Sequence, residues 1–210
     1  MPVPFVKICG LSTPDTVDAA IRAGASHIGL VHYAPSPRHL GLAAARTLRD
    51  QAYGRVQVVL LLVNPAPDEF ANAVRAVQPD IVQFHGSETP EQLAACRTLA
   101  PVGIWKAIGL RDTAGLAAAV AYTGAVDLML YDAPAQSLPG GTGTRFDWSL
   151  LAGHRHALPW GLAGGLTPAN VAAAIAETGA PLVDVSSGVE SEPGVKDVDK
   201  MTAFLKAARL

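Results

Sequence analysis

Cysteine is nearly absent: the 210 residues hold two, Cys9 and Cys96, without Cys-x-x-Cys or mixed Cys/His spacing. That excludes a disulfide framework and the common zinc sites, and it fits a reducing compartment. Charge is also scarce. Charged residues make up 16% of the chain, the formal net charge is −2, and Lys and Arg never gather into a run. A basic stripe for nucleic acid or an anionic membrane is therefore missing. Long hydrophobic runs are missing too. The longest, Val58 to Val63, is far too short to cross a bilayer. The start, Met1-Pro2-Val3-Pro4-Phe5-Val6-Lys7, lacks the basic-then-apolar pattern of a signal peptide, so a soluble cytoplasmic protein is expected.

What the chain does have is apolar material, 50% of its residues, arranged in a regular way. Short runs rich in Val, Ile and Leu recur at Phe5–Cys9, His27–Val31, Gln57–Val63, Ile81–His85, Gly103–Ile108, Leu128–Asp132, Trp160–Ala163 and Leu182–Ser186. Such runs suit strands buried on both faces. Helix starts lie between them. Thr13-Pro14-Asp15, Asn64 to Asp68, Thr89-Pro90-Glu91 and Thr167-Pro168-Ala169 each combine a capping side chain or an early acid with proline. Gly24, Gly124 and Gly179 stand where helices should stop, and Asp197–Arg209 reads as a closing helix. Eight strands alternating with about eight helices predict one (β/α)₈ barrel over residues 1–210, small for that fold. An open doubly wound sheet is the rival. It would place a glycine-rich phosphate loop after the first strand, and Cys9-Gly10-Leu11-Ser12 is no such loop.

In such barrels the chemistry gathers at the C-terminal ends of the strands. Those ends carry Cys9, Ser36-Pro37-Arg38, His85, Asp132, Gly140 to Gly143, Gly164-Gly165 and Ser186-Ser187-Gly188. The last two groups follow the seventh and eighth strands, where barrels often bind phosphate through backbone N–H groups and a short helix end. Gly164, Gly165, Ser186, Ser187 and Gly188 are thus the expected phosphate site, although glycines also serve plain turns. The loop from Gly140 to Arg145 reads as a lid that enters a helix at Phe146-Asp147-Trp148. Arg38, stiffened by Pro35 and Pro37, suits a substrate carboxylate and equally a solvated surface position. His85 could be a ligand, an acid–base group or a satisfied histidine at the mouth.

A lone Cys at a strand end is usually a small buried residue, whereas an Asp there needs a partner or a purpose. Cys9 and Asp132, on strands one and six, would reach a shared ligand from roughly opposite sides. A thiolate base and a carboxylic acid so placed can move protons on a sugar without metal or organic cofactor. Alternation turns Lys7 inward beneath Cys9, where its cation should favour the thiolate.

Taken together, these residues resemble the phosphoribosylanthranilate isomerases of tryptophan biosynthesis. The likeness rests on Val6-Lys7-Ile8-Cys9-Gly10-Leu11, Gly29 to Tyr33 with Ser36-Pro37-Arg38, Val82 to Gly86, Leu130-Tyr131-Asp132, Gly140 to Gly143 with Phe146-Asp147-Trp148, Leu162 to Leu166 and Val183 to Glu190. It implies an Amadori rearrangement in which Asp132 protonates the furanose oxygen and Cys9 removes the C2 proton. It further implies that Arg38 grips the anthranilate carboxylate and that Asp184 lies near the substrate amine. His85, Gly141, Thr142 and Gly143 would be further substrate contacts. No cofactor is implied, the partner is a small phosphorylated substrate, and the chain would be a monomer or a homodimer. Two departures touch packing and lid contacts only: Thr144-Arg145 stand where the lid often has Lys, and Tyr131 where an aliphatic residue is common. Alternatives are a barrel that binds phosphorylated ligands without catalysis and the related histidine-pathway isomerase. The latter family works with two aspartates, where this chain has Cys9. A pentose-phosphate epimerase would want several metal-binding side chains at strand ends, and His85 alone does not supply them.

Overall fold

The computed structural model describes residues 4–134 and 147–209. Eight parallel strands close into a barrel in chain order: β1 (Phe5–Cys9), β2 (His27–Val31), β3 (Gln57–Leu62), β4 (Ile81–Phe84), β5 (Gly103–Gly109), β6 (Leu128–Asp132), β7 (Trp160–Leu162) and β8 (Leu182–Val185). The ring is shut by β1 against β8, with Phe5 opposite Leu182 and Lys7 opposite Asp184. The expected (β/α)₈ architecture is what the chain forms.

Alternation along the strands explains why they read as unbroken apolar runs. One set of side chains meets the helices, the other the barrel axis. On β1, Val6 and Ile8 join the core between sheet and helices. Inside the barrel, Val59, Ile81, Trp105, Leu130 and Leu182 pack a dry floor. Cys9, Val31 and Leu61 form a small apolar rim at the opposite end. Between floor and rim sit three buried polar side chains, Lys7, Gln83 and Asp184. The barrel is apolar below and becomes chemical toward its C-terminal mouth.

The helices follow their start signals. In α1 (Pro14–Ala23) the Thr13 hydroxyl accepts from the Thr16 N–H, and Gly24 closes the helix at φ +91°. Such a cap is worth about 1 kcal/mol. The other helices are α2 (Leu42–Ala52), α3 (Pro67–Val77), α4 (Pro90–Leu99), α5 (Thr113–Ala119), α6 (Val171–Thr178) and α7 (Val198–Ala207). That is seven among the described residues rather than about eight.

Two local expectations are corrected, and one element is new. Trp148 to Leu150 make a single 3₁₀ turn, with no α-helix among the described residues between β6 and β7. Thr167-Pro168-Ala169 is not the first turn of α6, which begins at Val171. The Asn170 side chain accepts from the Thr167 N–H and donates to the Gly165 carbonyl, so this segment is tied down as a loop. After β8 the chain makes a 3₁₀ turn, Ser187–Val189, and then a small hairpin before α7. Its strands are β9 (Glu190–Glu192) and β10 (Val195–Lys196). Among the described residues no helix is long and apolar enough to cross a membrane.

Candidate active site

A cavity opens at the C-terminal mouth of the barrel. Its walls include Cys9, Arg38, His85, Asp132, Gly164, Gly165, Asp184, Ser186, Ser187 and Gly188. Residues from seven of the eight strands, or from the loops behind them, are brought to one space. Gly141, Thr142 and Gly143, with the rest of the expected lid, lie outside the described residues.

Cys9 ends β1 with its thiol in a slot made by β2. A Cβ at Gly29 would stand 2.7 Å from the Cys9 sulfur, so that position has room for glycine only. One pleat below, the Lys7 ammonium donates to Asp184 Oδ2 at 3.0 Å, and both groups are buried. Asp184 Oδ1 has no hydrogen-bond partner among the described residues. Burial pushes the Cys9 thiol up, and the Lys7 cation offsets only part of that rise. This corrects the expectation for Lys7: its pull has the anticipated sign, yet desolvation wins and the resting side chain is a thiol. Burial likewise pushes the Asp184 carboxyl up against the pull of Lys7. For Lys7 itself, burial lowers the pKa, but the facing Asp184 and Cys9 more than compensate and keep it cationic. One buried cation thus serves two buried acids.

Asp132 ends β6 on the far side of the cavity. Its Oδ1 accepts from the Ala133 N–H at 2.7 Å, and its Oδ2 lies 3.3 Å from His85 Nε2. Behind it, Gln83 Nε2 reaches His85 Nδ1 at 3.3 Å. The amide donates there, so Nδ1 accepts and Nε2 carries the hydrogen that faces Asp132. Gly164, at φ +82°, makes this possible. A Cβ there would press on the Ala133 backbone and come within 2.9 Å of Asp132 Oδ1. The loop that carries His85 is itself fastened. Buried Lys106 donates to Glu88 at 2.9 Å and to the Gly86 carbonyl at 2.7 Å, while Glu88 accepts from the Gly86 and Asn64 N–H groups.

The end of the cavity expected to take phosphate carries Gly164, Gly165, Ser186, Ser187 and Gly188. Among the described residues no loop or turn hydrogen bond uses the N–H groups of Gly165, Ser187 or Gly188. Gly188 packs so tightly on the Leu166 carbonyl that a Cβ would fall on the oxygen. The two glycine-bearing loops therefore touch, and both border the cavity. That is the arrangement an oxyanion needs.

Arg38 borders the same cavity, but one edge of its guanidinium is taken. Nε and Nη2 donate to the two oxygens of Glu190, each at 2.7 Å. Glu190 is held in turn by Lys196, which also donates to the Ser186 carbonyl at 3.0 Å. Burial alone would raise the Glu190 pKa, yet Arg38 and Lys196 outweigh it and hold the carboxyl at about 2. Sequence reasoning missed Gln83, Glu190 and Lys196. Glu190 stood inside the motif Val183 to Glu190, and an acid ending a glycine loop was the available signal.

The family model for N-(5'-phosphoribosyl)anthranilate (PRA) isomerase matches residues 6–207. The chain belongs to the PRA isomerase family. The family member from Erythrobacter litoralis is 57% identical over 205 residues, covering 98% of each chain. The one from Paramagnetospirillum magneticum is 47% identical over 212 residues, covering 100% of this chain and 98% of its own. Among solved structures, the PRA isomerase of Thermotoga maritima superposes with a TM-score of 0.88 at 34% identity over 98% of both chains. A further PRA isomerase structure, in complex with reduced 1-(o-carboxyphenylamino)-1-deoxyribulose 5-phosphate, superposes with a TM-score of 0.85 at 33% identity over 98% of both chains.

Proposed function

We propose that this chain is the N-(5'-phosphoribosyl)anthranilate isomerase of tryptophan biosynthesis, converting its substrate to 1-(2-carboxyphenylamino)-1-deoxyribulose 5-phosphate with Asp132 as acid and Cys9 as base. The observation that carries the reading is that a thiol and a carboxyl line one cavity together with Gly165, Ser187 and Gly188, whose N–H groups have no loop or turn partner among the described residues.

The phosphate anchors at Gly165, Ser187 and Gly188, and the anthranilate carboxylate meets Arg38. Substrate so pinned at two ends lies with its ribose between β1 and β6. Asp132 gives a proton to the furanose oxygen, the C1–O bond breaks, and the amine nitrogen's lone pair forms the Schiff base. His85, behind Asp132, holds the carboxyl in place through its Nε2–H. Cys9, as thiolate, then takes the C2 proton, and the electrons of that bond move toward the iminium nitrogen. The enolamine that results tautomerises to the ketone.

Cys9 must lose its proton first. Asp184 is our candidate to receive it, because its Oδ1 has no partner among the described residues and burial favours its neutral form. Thiol plus carboxylate becomes thiolate plus carboxylic acid, and Lys7 remains the cation for whichever group is charged. The net charge of the buried group does not change, so the exchange adds no unpaired charge to the interior.

The test supplies phosphoribosylanthranilate made in situ and follows loss of its fluorescence. Turnover by the wild-type protein supports the reading. Binding of phosphorylated ligand without turnover would favour the non-catalytic barrel, and turnover of the histidine-pathway aminoaldose would favour the related isomerase.

A further inference from the structure

Arg38 can reach a substrate carboxylate only if its guanidinium is held with a free edge toward the cavity. A guanidinium presents two useful bidentate edges, the side edge Nε/Nη2 and the end edge Nη1/Nη2. Glu190 occupies the side edge with both oxygens. Glu190 itself is not a wall of the cavity, whereas Arg38 is. The edge left over is therefore the one that serves the cavity. The stem of Arg38 is also confined, since it lies across Gly10, where a Cβ would come 2.5 Å from its Cδ.

We propose that Glu190, braced by Lys196, is a positioning residue that sets Arg38 for the substrate carboxylate. The inference rests on the reading of Arg38 given above. Glu190 begins the β9–β10 hairpin and Lys196 ends it, so their ion pair ties the two ends of the hairpin together. Lys196 also donates to the Ser186 hydroxyl at 3.2 Å, and that hydroxyl donates to the Cys9 carbonyl at 3.1 Å. The Gly194 N–H adds a third donor to Glu190 at 3.2 Å. With this many partners Glu190 has no freedom to follow Arg38. It works as a fixed abutment on the hairpin, and Arg38 is oriented before the substrate arrives. The geometry fits a ligand carrying a carboxylate at one end and a phosphate at the other, the two anchor points lying on either side of Ser186. Orientation before binding is what separates this role from simple attraction, because an anionic Glu190 by itself repels a carboxylate.

The experiment measures the affinity of two stable ligands by calorimetry. One is reduced 1-(o-carboxyphenylamino)-1-deoxyribulose 5-phosphate and the other is its counterpart lacking the carboxyl group. Glu190→Gln is expected to weaken the carboxylated ligand by about tenfold or more, the size of one charged hydrogen bond, and to leave the decarboxy ligand within about twofold. Equal weakening of both ligands, or of neither, overturns the proposal. Should Glu190→Gln fail to fold, Lys196→Gln gives the same selective pattern at smaller amplitude, and an unselective loss there counts against the proposal equally. Arg38→Met separates the two readings. If it shows no carboxylate-selective loss, the role of Arg38 falls and the inference with it. If Arg38→Met is selective and Glu190→Gln is not, the inference alone falls.

Discussion

His85 Nε2 faces Asp132 Oδ2 at 3.3 Å across the mouth of the barrel, and Gln83 decides which ring nitrogen carries the hydrogen. The pair joins the end of β4 to the end of β6. It makes the aspartate a supported group rather than a free carboxylate. Replacement of His85 by Ala should lower kcat by roughly tenfold to a hundredfold while KM moves less than about threefold. Steady-state kinetics check this, and a change confined to KM would assign His85 to binding instead.

Lys7 is the cation for both Cys9 and Asp184. Lys7→Met strands a buried carboxylate and should cost about 3–5 kcal/mol of stability. It should also push the Cys9 thiol higher still, because the group opposing the burial effect is gone. Denaturant unfolding and the pH dependence of thiol alkylation measure the two effects. Lys7→Met combined with Asp184→Asn removes both charges, so most of the stability should return while activity stays lost.

The strands were legible because each buries both faces, which leaves a mainly apolar run in which polar residues such as Lys7, Gln83, Lys106 and Asp184 are exceptions. The Cys9 and Asp132 positions stood out for the same reason, as unusual residues at the ends of such runs. The inward turn of Lys7 followed from alternation alone. What alternation could not supply was the balance between burial and charge at Cys9, which depends on how completely the barrel excludes water. Nor could it pair Arg38 with Glu190, since 152 residues separate them and only ring closure brings them together. The β9–β10 hairpin was hidden because its strands, three and two residues long, carry too few positions to show a period. The start of α6 was misplaced because Asn170, not Thr167, supplies the side chain that organises the turn.

The proposed phosphate site depends on Gly188. Alanine there would place its Cβ on the Leu166 carbonyl oxygen, forcing the two glycine loops apart. Gly188→Ala should raise KM by roughly tenfold or more and weaken competitive inhibition by inorganic phosphate in parallel. An unchanged inhibition constant for phosphate would place the anion elsewhere.

Acid should destabilise the protein well before its carboxylates titrate. Burial holds His27 and His156 at about 4, from an ordinary value near 6.5. The unfolded chain therefore binds more protons than the folded one between those values, so stability rises with pH across that window and is lost as pH falls from about 6.5 to 4. His156 lies against Trp160 at 4.1 Å with neither ring nitrogen bonded. His156→Phe keeps the stack and removes the titration. At pH 5 it should gain about 1 kcal/mol over wild type, discounted for the partial exposure of the ring, and at pH 8 little. Thermal melts across the range measure the difference, and parallel curves for the two proteins would contradict the assignment.

The acid–base pair itself meets its most direct test in single-turnover loss of phosphoribosylanthranilate fluorescence by wild type, Cys9→Ala and Asp132→Asn, with folding checked by thermal melts. Each substitution should slow the reaction by about 10²–10⁴-fold, the range for a positioned proton-transfer group, while the reduced product analogue still binds. Wild-type rates in either variant would contradict the account.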